Sequence, residues 1–325
     1  MHLWTRRNLL TVVTAAGAAS MLPTAAAARG SGRDVLAGTA PSLIPEGIAW
    51  DPVRRTFLVS SLRHGTVSAV RPDGTVRTVV ADPSMVCTLG VHVDVRRQRL
   101  LVAFADLGVG ERSAPETIFQ AAGLGIFDLV TGRPRHIVPL TGIPGGHAAN
   151  DFALDAHGNA YVTDPAADGI YRVDINGNAE VFLRDPRLAN PSVGLNGIVW
   201  HPAGFLLAVG YTTGELWRIG LDRSVTPVGL DEPLVGGDGL VLLPGGALVA
   251  VTNAVLAPGV DAVRTLAGTA GWSRARTVHR AAPWPDRAPS TTALAPTGVH
   301  VLAGNVDLLF QQGTTADTFT IRRYP

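Results

Sequence analysis

Three observations predict that the chain is an all-β protein, a β-propeller of six blades. The 325 residues include 37 glycines and 23 prolines, a density of turn formers typical of many short strands joined by tight turns. No stretch sustains a helical period of apolar residues over three turns. One pattern, an anchor residue followed by two apolar runs with a turn between them, recurs six times along the chain.

The anchors of the six repeats are spaced at the length of a four-stranded blade. They lie 43, 61, 46, 42 and 52 residues apart, and a blade takes about 40–50 residues. Third and fourth strands are visible as well, most clearly where Asn176-Gly177 separates two apolar runs, a strong hairpin signal. In chain order the anchors are Glu46, Leu89, Asn150, Asn196, Asp238 and Ser290.

The last repeat is one strand short. It ends at residues 318–321, which align with a third strand of the other repeats. The segment at residues 33–40, before the first anchor, can supply the missing strand. We therefore predict that an N-terminal strand closes the last blade and leaves the ring without open sheet edges.

Composition and motif searches exclude several classes of protein. The formal net charge of +1 argues against a nucleic-acid partner, which needs a basic face. All 27 basic residues are arginine, which excludes chemistry based on a lysine Schiff base or a P-loop lysine. The single cysteine, Cys87, excludes an intramolecular disulfide and a cysteine zinc site. Serine-hydrolase (G-x-S-x-G), Walker A and H-E-x-x-H motifs are absent from the sequence.

The first 28 residues carry an export pattern. Arg6-Arg7 precedes an apolar stretch at residues 9–22, and Ala26-Ala27-Ala28 supplies a cleavage site. We therefore predict a twin-arginine signal peptide at residues 1–28, handled by the Tat machinery, and a propeller domain at residues 29–325 that is exported to the periplasm or the extracellular space. The alternative is an uncleaved anchor, but the stretch is short against the roughly 20 residues of a membrane span. We expect no membrane span in the mature chain.

Four of the six anchors point to a metal site. The first strand of a propeller blade is innermost, so the anchors should surround one mouth of the central channel. Glu46, Asn150, Asn196 and Asp238 then bring two carboxylates and two carboxamides together. Such hard oxygen donors suit Ca²⁺ or Mg²⁺, whereas zinc and copper favour His or Cys. The alternative is that these residues are polar strand starts facing channel water.

Four short motifs occur in the same order and register, namely Glu46-Gly47 within residues 45–51, Asn150-Asp151, Asn196-Gly197 and Asp238-Gly239. With these motifs the chain resembles the SMP-30/gluconolactonase family over residues 40–325, a family related to calcium-dependent phosphotriesterases and paraoxonases. The resemblance implies a six-bladed propeller in which the four anchors bind one divalent cation. Ca²⁺ is favoured, with Mg²⁺, Mn²⁺ and Zn²⁺ as the other candidates. It also implies that Asp238 acts as general base or nucleophile.

The predicted activity is hydrolysis of an ester or lactone by an exported, metal-dependent enzyme. Sugar-lactone members of the family carry an arginine two residues before the first Asn, where this chain has Ala148. The small-molecule substrate is therefore expected to be less polar than a sugar lactone. Two alternatives stay open: a non-catalytic propeller that binds a ligand or partner around a structural ion, and a condensing enzyme similar to strictosidine synthase.

Several residues near the anchors are further candidates. His147 could shuttle protons or hold a leaving group, or it could be an exposed loop histidine. His92 and Tyr211 could contact substrate, and Asp151 could orient a ligand or form a turn. The longest repeat has an excess at residues 106–122, which could be a lid over the channel mouth or an unrelated surface insertion.

Overall fold

The computed structural model of the protein describes residues 34–325. This part of the chain is built of β-strands, with one two-turn helix, α1 (Val306–Gln312), and three single turns of 3₁₀ helix. The prediction of an all-β protein is confirmed. The signal peptide predicted at residues 1–28 lies outside the described residues.

Short strands follow one another along the whole described range. They are β1 (Val35–Thr39), β2 (Ile48–Asp51), β3 (Thr56–Val59), β4 (Thr66–Val70), β5 (Val76–Ala81), β6 (Cys87–Asp94), β7 (Arg99–Ala105), β8 (Ala122–Asp128), β9 (Pro134–Pro139), β10 (Phe152–Leu154), β11 (Ala160–Thr163), β12 (Gly169–Val173), β13 (Ala179–Arg184), β14 (Leu195–His201), β15 (Phe205–Gly210), β16 (Leu216–Gly220), β17 (Val225–Leu230), β18 (Gly237–Leu242), β19 (Leu248–Thr252), β20 (Ala262–Thr269), β21 (Arg274–Ala281), β22 (Pro289–Ala295), β23 (Gly298–Ala303) and β24 (Thr318–Arg323).

The strands form antiparallel meanders. Strands β2–β5, β6–β9 and β10–β13 each make a four-stranded sheet, and a fourth sheet has the order β1-β24-β23-β22. Strands β14–β21 make an eight-stranded sheet in the order β14-β15-β16-β17-β21-β20-β19-β18. Its two meanders meet through a short parallel contact between β17 and β21, in which Gly229 lies opposite Arg274 and Leu230 opposite Ala275.

The N-terminal strand closes the last sheet, as predicted. β1 pairs antiparallel with β24, and Val35 lies opposite Arg322 while Thr39 lies opposite Thr318. The close approach requires a glycine, because a Cβ at Gly38 would lie 2.1 Å from the ring of Phe319. The two ends of the described chain are thereby joined in one sheet, and β24 is not left as an open edge.

The first strands of the meanders surround a central cavity. Residues of β2, β6, β10, β14, β18 and β22 line it, and its volume is about 340 Å³. The apolar core lies between neighbouring sheets, as where Leu58 and Val67 of the β2–β5 sheet pack with Val102 and Phe127 of the β6–β9 sheet. Burial of these faces supplies the main stabilisation, at about 25 cal/mol per Å² of apolar surface.

Two segments outside the sheets sit at one end of this cavity. One is the excess of the longest repeat, which runs between β7 and β8, and the other is α1, which connects β23 to β24. Helix α1 was not predicted from the sequence, because a seven-residue helix shows too little periodicity to be recognised. No helix in residues 34–325 has the length and apolar character needed to cross a membrane.

Candidate metal centre and active site

Backbone irregularities position four of the six anchor side chains. The pairing of β14 with β15 shifts between Leu195 and Ile198, so that Asn196 and Gly197 together oppose one residue of the partner strand. The same shift brackets Asp238-Gly239 in β18, Leu89-Gly90 in β6 and Ser290 in β22. A β-bulge re-aims the side chain that it carries and is common beside active sites. In the pairings between first and second strands, every such shift falls on an anchor.

The glycines that follow the anchors allow the first strands to approach each other closely. A Cβ at Gly47 would lie 2.0 Å from the carbonyl oxygen of Leu89. A Cβ at Gly197 would lie 2.0 Å from the carbonyl oxygen of Asp238. Each glycine therefore contacts the backbone of the next anchor along the chain, and any side chain would push the anchors apart.

The structure brings the four predicted metal ligands together between two cavities. Glu46, Asn150, Asn196 and Asp238 all line the central cavity. The same four side chains also line a second cavity of about 370 Å³ at the mouth of the channel. They therefore form the boundary between the channel and the mouth, where a bound ion would face an open cavity on each side.

The donor set at this boundary fits a hard divalent cation. Glu46 Oε2 and Asn150 Oδ1 are buried and accept no hydrogen bond from any residue of the described chain, and a buried acceptor without a partner costs about 1–3 kcal/mol. A cation would satisfy both oxygens. Residues 34–325 contain no group of three or more His, Cys, Asp or Glu side chains arranged to hold a metal, so the site depends on its two carboxamides, which are oxygen ligands of the kind Ca²⁺ accepts.

The carboxyl groups at the boundary destabilise each other in their charged forms. Burial, followed by the negative charges of Asp238 and Asp151, raises the pKa of Glu46 well above its usual value. Burial raises the pKa of Asp238 to about 8; a hydrogen bond from Asn253 opposes this rise and the charge of Asp151 adds to it. Burial also raises the pKa of Asp151 to about 7. A cation with two positive charges would remove this repulsion.

Sequence reasoning missed Asn253, which follows β19 and is fully buried. Its Nδ2 donates to Asp238 Oδ2 at 2.7 Å, and its Oδ1 accepts from the hydroxyl of Tyr211 at 2.5 Å. A signal for it was present, because the residue after the second strand of a repeat is an Asp or Ser in three other repeats as well, at Ser60, Asp106 and Asp164. Tyr211, a predicted substrate contact, lines the mouth cavity and is buried.

The mouth cavity is mainly apolar. Leu62, Leu107, Val193 and Leu256 are among its lining residues, together with Ala148 at the position where an arginine was expected for a sugar lactone. Of the described residues that line it, the charged ones are Glu46 and Asp238 alone. The wall therefore offers hydrocarbon contact and no positive charge to whatever binds beside the anchors.

Residues 106–121 contribute two of the mouth residues, Leu107 and Phe119. The segment is ordered by the carboxylate of Asp106, which accepts hydrogen bonds from Ser113 Oγ at 2.6 Å and from Thr117 Oγ1 at 2.6 Å. Phe119 adopts φ +53°, and its side chain is 42% exposed at the cavity rim. Helix α1 adds Val306 and Phe310 to the same wall. The insertion therefore contributes to the wall of the mouth and is not unrelated to the site, and its role as a lid stays a prediction.

His147 lies behind the mouth wall. It is buried, and its Nδ1 lies 3.5 Å from Asp164 Oδ2, although neither atom has a hydrogen-bond partner among the described residues. Asp164 also accepts hydrogen bonds from the backbone of Ala148 at 2.8 Å and of Ala166 at 3.1 Å, both of which line the mouth. His147 itself lines neither cavity. The alternative that His147 is an exposed loop histidine is wrong, and the catalytic role of His147 stays a prediction.

His92 and Asp151 lie on the channel side of the boundary. Both line the central cavity, and His92 Nε2 is 3.9 Å from Asp151 Oδ1. The His92 side chain is 41% exposed, but that surface faces the cavity, and burial among the first strands lowers its pKa to about 4. Asp151 Oδ1 accepts the backbone N–H of Phe152 at 2.8 Å. Asp151, which follows Asn150 in the sequence, is thus held in place on the side of the site away from the mouth.

The fold and the site together define a β-propeller with a cluster of oxygen donors between its axial channel and one mouth. No family model and no curated protein sequence matches the chain. Solved structures with similar folds include a gluconolactonase from Xanthomonas campestris, with a TM-score of 0.57 and 18% identity over 89% of this chain and 87% of that chain. Virginiamycin B lyase from Staphylococcus aureus matches with a TM-score of 0.55 and 12% identity, over 90% of this chain and 99% of that chain. A PQQ-bound aldose sugar dehydrogenase from Streptomyces coelicolor matches with a TM-score of 0.57 and 13% identity, over 89% and 98% of the two chains.

These likenesses show the propeller fold. The three neighbours differ in chemistry, since one is named a lactonase, one a lyase and one a dehydrogenase. A fold shared by such different enzymes does not assign an activity, which depends on the residues at the site.

Proposed function

We propose that the protein is an exported hydrolase of the gluconolactonase type, dependent on a divalent cation, which is most simply Ca²⁺, and acting on an apolar ester or lactone. The observation that carries the proposal is the position of Glu46, Asn150, Asn196 and Asp238 between the channel and an apolar mouth, with buried oxygens that no described residue satisfies. The gluconolactonase among the similar structures supports it.

The architecture that we propose has six blades. The parallel contact that joins β17 to β21 involves two residue pairs, whereas the antiparallel pairs within each meander are longer. If the eight-stranded sheet is counted as two meanders, each of the six anchor repeats corresponds to one blade. This count agrees with the six first strands that line the central cavity.

The four anchors would hold the cation, and Asp238 would also handle the proton. A bound divalent cation polarises a substrate carbonyl and stabilises negative charge on its oxygen. Asp238 Oδ2 is tied to Asn253, which leaves Oδ1 for chemistry. As a base, Asp238 takes a proton from water while the water oxygen bonds to the carbonyl carbon; the ester C–O bond then breaks, and the proton passes to the leaving oxygen. As a nucleophile, Asp238 would attack the same carbon itself; the ester C–O bond would break as the leaving oxygen takes a proton from water, and the hydroxide formed would hydrolyse the anhydride and release Asp238.

The mouth determines which substrates reach this group. Hydrocarbon side chains such as Leu62, Leu107 and Leu256 favour an apolar acyl or alkyl group and exclude water from the reacting carbonyl. Ala148 offers no hydrogen-bond donor from its side chain to sugar hydroxyls. A neutral, apolar ester or lactone therefore fits the wall better than a polyhydroxylated one.

The test is a substrate panel assayed with chelator-treated and calcium-loaded protein. Aryl acetates, alkyl esters and alkyl-substituted lactones are compared with glucono-δ-lactone. We expect calcium-dependent turnover with kcat/KM higher for the apolar substrates. Calcium binding without turnover on any substrate would favour a binding propeller, and faster turnover of the sugar lactone would contradict the proposed specificity.

A further inference from the structure

The side-chain amide of Asn253 has all of its hydrogen-bonding capacity used. Its Nδ2 donates to Asp238 Oδ2 at 2.7 Å and to the carbonyl oxygen of Pro289 at 3.0 Å. Its Oδ1 accepts from Tyr211 Oη at 2.5 Å and from the backbone N–H of Val255 at 3.1 Å. An amide has two N–H donors and one oxygen with two lone pairs, so no capacity is left over. A fully satisfied buried amide has one orientation.

The backbone N–H of Val255, the carbonyl of Pro289 and the hydroxyl of Tyr211 together decide which way this amide points. The tyrosine oxygen accepts the backbone N–H of Leu256 at 3.0 Å, so its own proton is free to be donated to Asn253. That proton requires an acceptor, which places Oδ1 of Asn253 toward Tyr211 and Nδ2 toward Asp238. If the amide were rotated by half a turn, its N–H would face the N–H of Val255 and its oxygen would face the carboxylate of Asp238. Both contacts would be repulsive. Tyr211 and these two backbone groups thus ensure that a donor faces the carboxylate.

The consequence for Asp238 is that its two oxygens are not equivalent. Oδ2 is held by the buried N–H of Asn253, which leaves Oδ1 as the oxygen available to the cation that the proposed function uses. The same small network also holds the mouth wall, because Val255 and Leu256 line that cavity and their N–H groups bind Asn253 and Tyr211. Hydrogen-bond partners behind a metal ligand commonly change metal affinity or activity by about 10–100-fold when they are removed.

We infer that Asn253, oriented by Tyr211 and by the backbone of Val255 and Pro289, is a positioning residue that fixes the Asp238 carboxylate for binding of the divalent cation and links it to the 255–256 segment of the mouth. The inference rests on the proposed function, since it concerns the same ion site. It adds two residues that act through Asp238 and are not expected to contact the cation.

The test measures calcium binding directly by calorimetric titration of chelator-treated protein with Ca²⁺. Asn253→Ala should weaken calcium binding by about 10–100-fold. Tyr211→Phe keeps the ring and removes only the hydroxyl, so the fold should stay intact while binding weakens by a smaller factor, about threefold or more. Asn253→Gln tests whether an amide at another distance restores any of the loss.

The chain offers a matched control at Asn159. This asparagine is also buried, and its Nδ2 donates to Asp155 Oδ2 at the same distance of 2.7 Å, in the turn between β10 and β11. Asn159→Ala should lower the melting temperature of the chelated protein without changing calcium affinity. A purely structural role for Asn253 predicts the same behaviour for Asn253→Ala.

The outcomes separate this inference from the proposed function. If the parent protein binds calcium and Asn253→Ala and Tyr211→Phe bind it equally well, the positioning role is wrong and the ion site stands. If the parent protein binds no calcium, the ion site is wrong and the positioning role is overturned with it. Weakened binding in both variants, with unchanged binding in Asn159→Ala, supports the inference.

Discussion

The hydroxyl of Ser290 donates a hydrogen bond to the backbone carbonyl of Glu46 at 2.7 Å, across a sequence separation of 244 residues. This contact joins the first strand of the last meander to the anchor of the first. It lies at the axis, whereas the pairing of β1 with β24 joins the chain ends in the same sheet. The ring is therefore closed in two places, and the inner closure acts directly on a predicted metal ligand.

Ser290→Ala should destabilise the protein through the inner closure. Ser290 is fully buried, and removing its hydroxyl leaves the Glu46 carbonyl without this donor, at a cost of about 1–3 kcal/mol in the free energy of unfolding. Chemical denaturation of the chelated protein measures the loss. Ser68→Ala is the control, because Ser68 is also buried but its hydroxyl makes only a 3.5 Å contact with Thr78. Equal losses in the two variants would contradict a special role for the Ser290 contact.

The outer closure predicts an effect of changes in β1. Deletion of residues 29–40 should expose the edges of β24 and of the neighbouring sheet, and should cause aggregation or loss of cooperative unfolding. Gly38→Val makes the same test with one residue, because a Cβ at that position meets the ring of Phe319. Light scattering and thermal unfolding report both effects. A truncated protein that stays monomeric and equally stable would show that β1 is dispensable for closure.

Much of this arrangement could be predicted from the sequence, because the signals for it lie in short stretches of the chain. The anchor repeats are short-range patterns, and a glycine after Glu46, Asn196 or Asp238 marks the close approach of neighbouring first strands. The pairing of β1 with β24 could be predicted because a missing strand is visible in a count of repeats.

The remaining features depend on contacts between residues distant in sequence. Nothing near Asn253 in the sequence shows that its amide meets Asp238, since the bond forms only when the β18–β19 hairpin is assembled. The burial of His147 against Asp164 likewise depends on the 106–121 segment. The backbone N–H of His147 donates to the carbonyl oxygen of Phe119 in that segment.

Calcium should stabilise the protein, and more so at higher pH. In the absence of metal, folding raises the pKa of Asp238 from 3.8 to about 8 and raises that of Glu46 as well. These protonated groups make their full contribution to the free energy of unfolding when the pH is below their pKa values in the unfolded chain. That contribution is lost as the pH rises through about 8. Calcium requires the ionised carboxylates, so the rise in melting temperature that it causes should be larger at about pH 8 than at about pH 5.

Thermal unfolding with chelator and with millimolar calcium, at both pH values, measures this dependence. Asp238→Asn serves as the comparison, because it removes the group whose pKa is raised to about 8 and should flatten the pH dependence of the chelated protein. A melting temperature that calcium leaves unchanged at both pH values would exclude the ion site. A larger calcium effect at the lower pH would contradict the assignment of the raised pKa values to the ligands.

Phe119 should influence substrate choice without taking part in the chemistry. Its side chain lies at the mouth and is partly exposed, as expected of a group that a substrate covers. Phe119→Ala should raise KM for long-chain or aromatic esters, and for the largest groups the loss should reach about 3 kcal/mol of binding free energy. The kcat for acetate esters should stay nearly unchanged. Phe119→Leu should retain part of the affinity. Equal effects on short and long esters would contradict contact between Phe119 and the substrate chain.

Substitutions of Asp238 and of Glu46 should have different kinetic effects, although both residues are proposed ligands of the cation. Asp238→Asn keeps an oxygen donor and removes the base or nucleophile, so kcat/KM at saturating calcium should fall by roughly 10²-fold or more. Glu46→Gln removes a charge from the ion site, so it should mainly weaken calcium affinity, and excess calcium should restore part of the activity. Asp155→Asn, at a turn away from the site, controls for general effects of replacing a buried aspartate.

His147 provides the competing assignment for the proton carrier. It is buried beside Asp164, 3.5 Å away, and Asp164 accepts the backbone N–H of Ala148, which lines the cavity. If Asp238 is the base or nucleophile, His147→Ala should reduce kcat/KM less than Asp238→Asn does, with the best ester or lactone as substrate. If Asp238→Asn retains most of its activity while His147→Ala loses nearly all, Asp238 only binds the ion, and the His147–Asp164 pair carries the proton in its place.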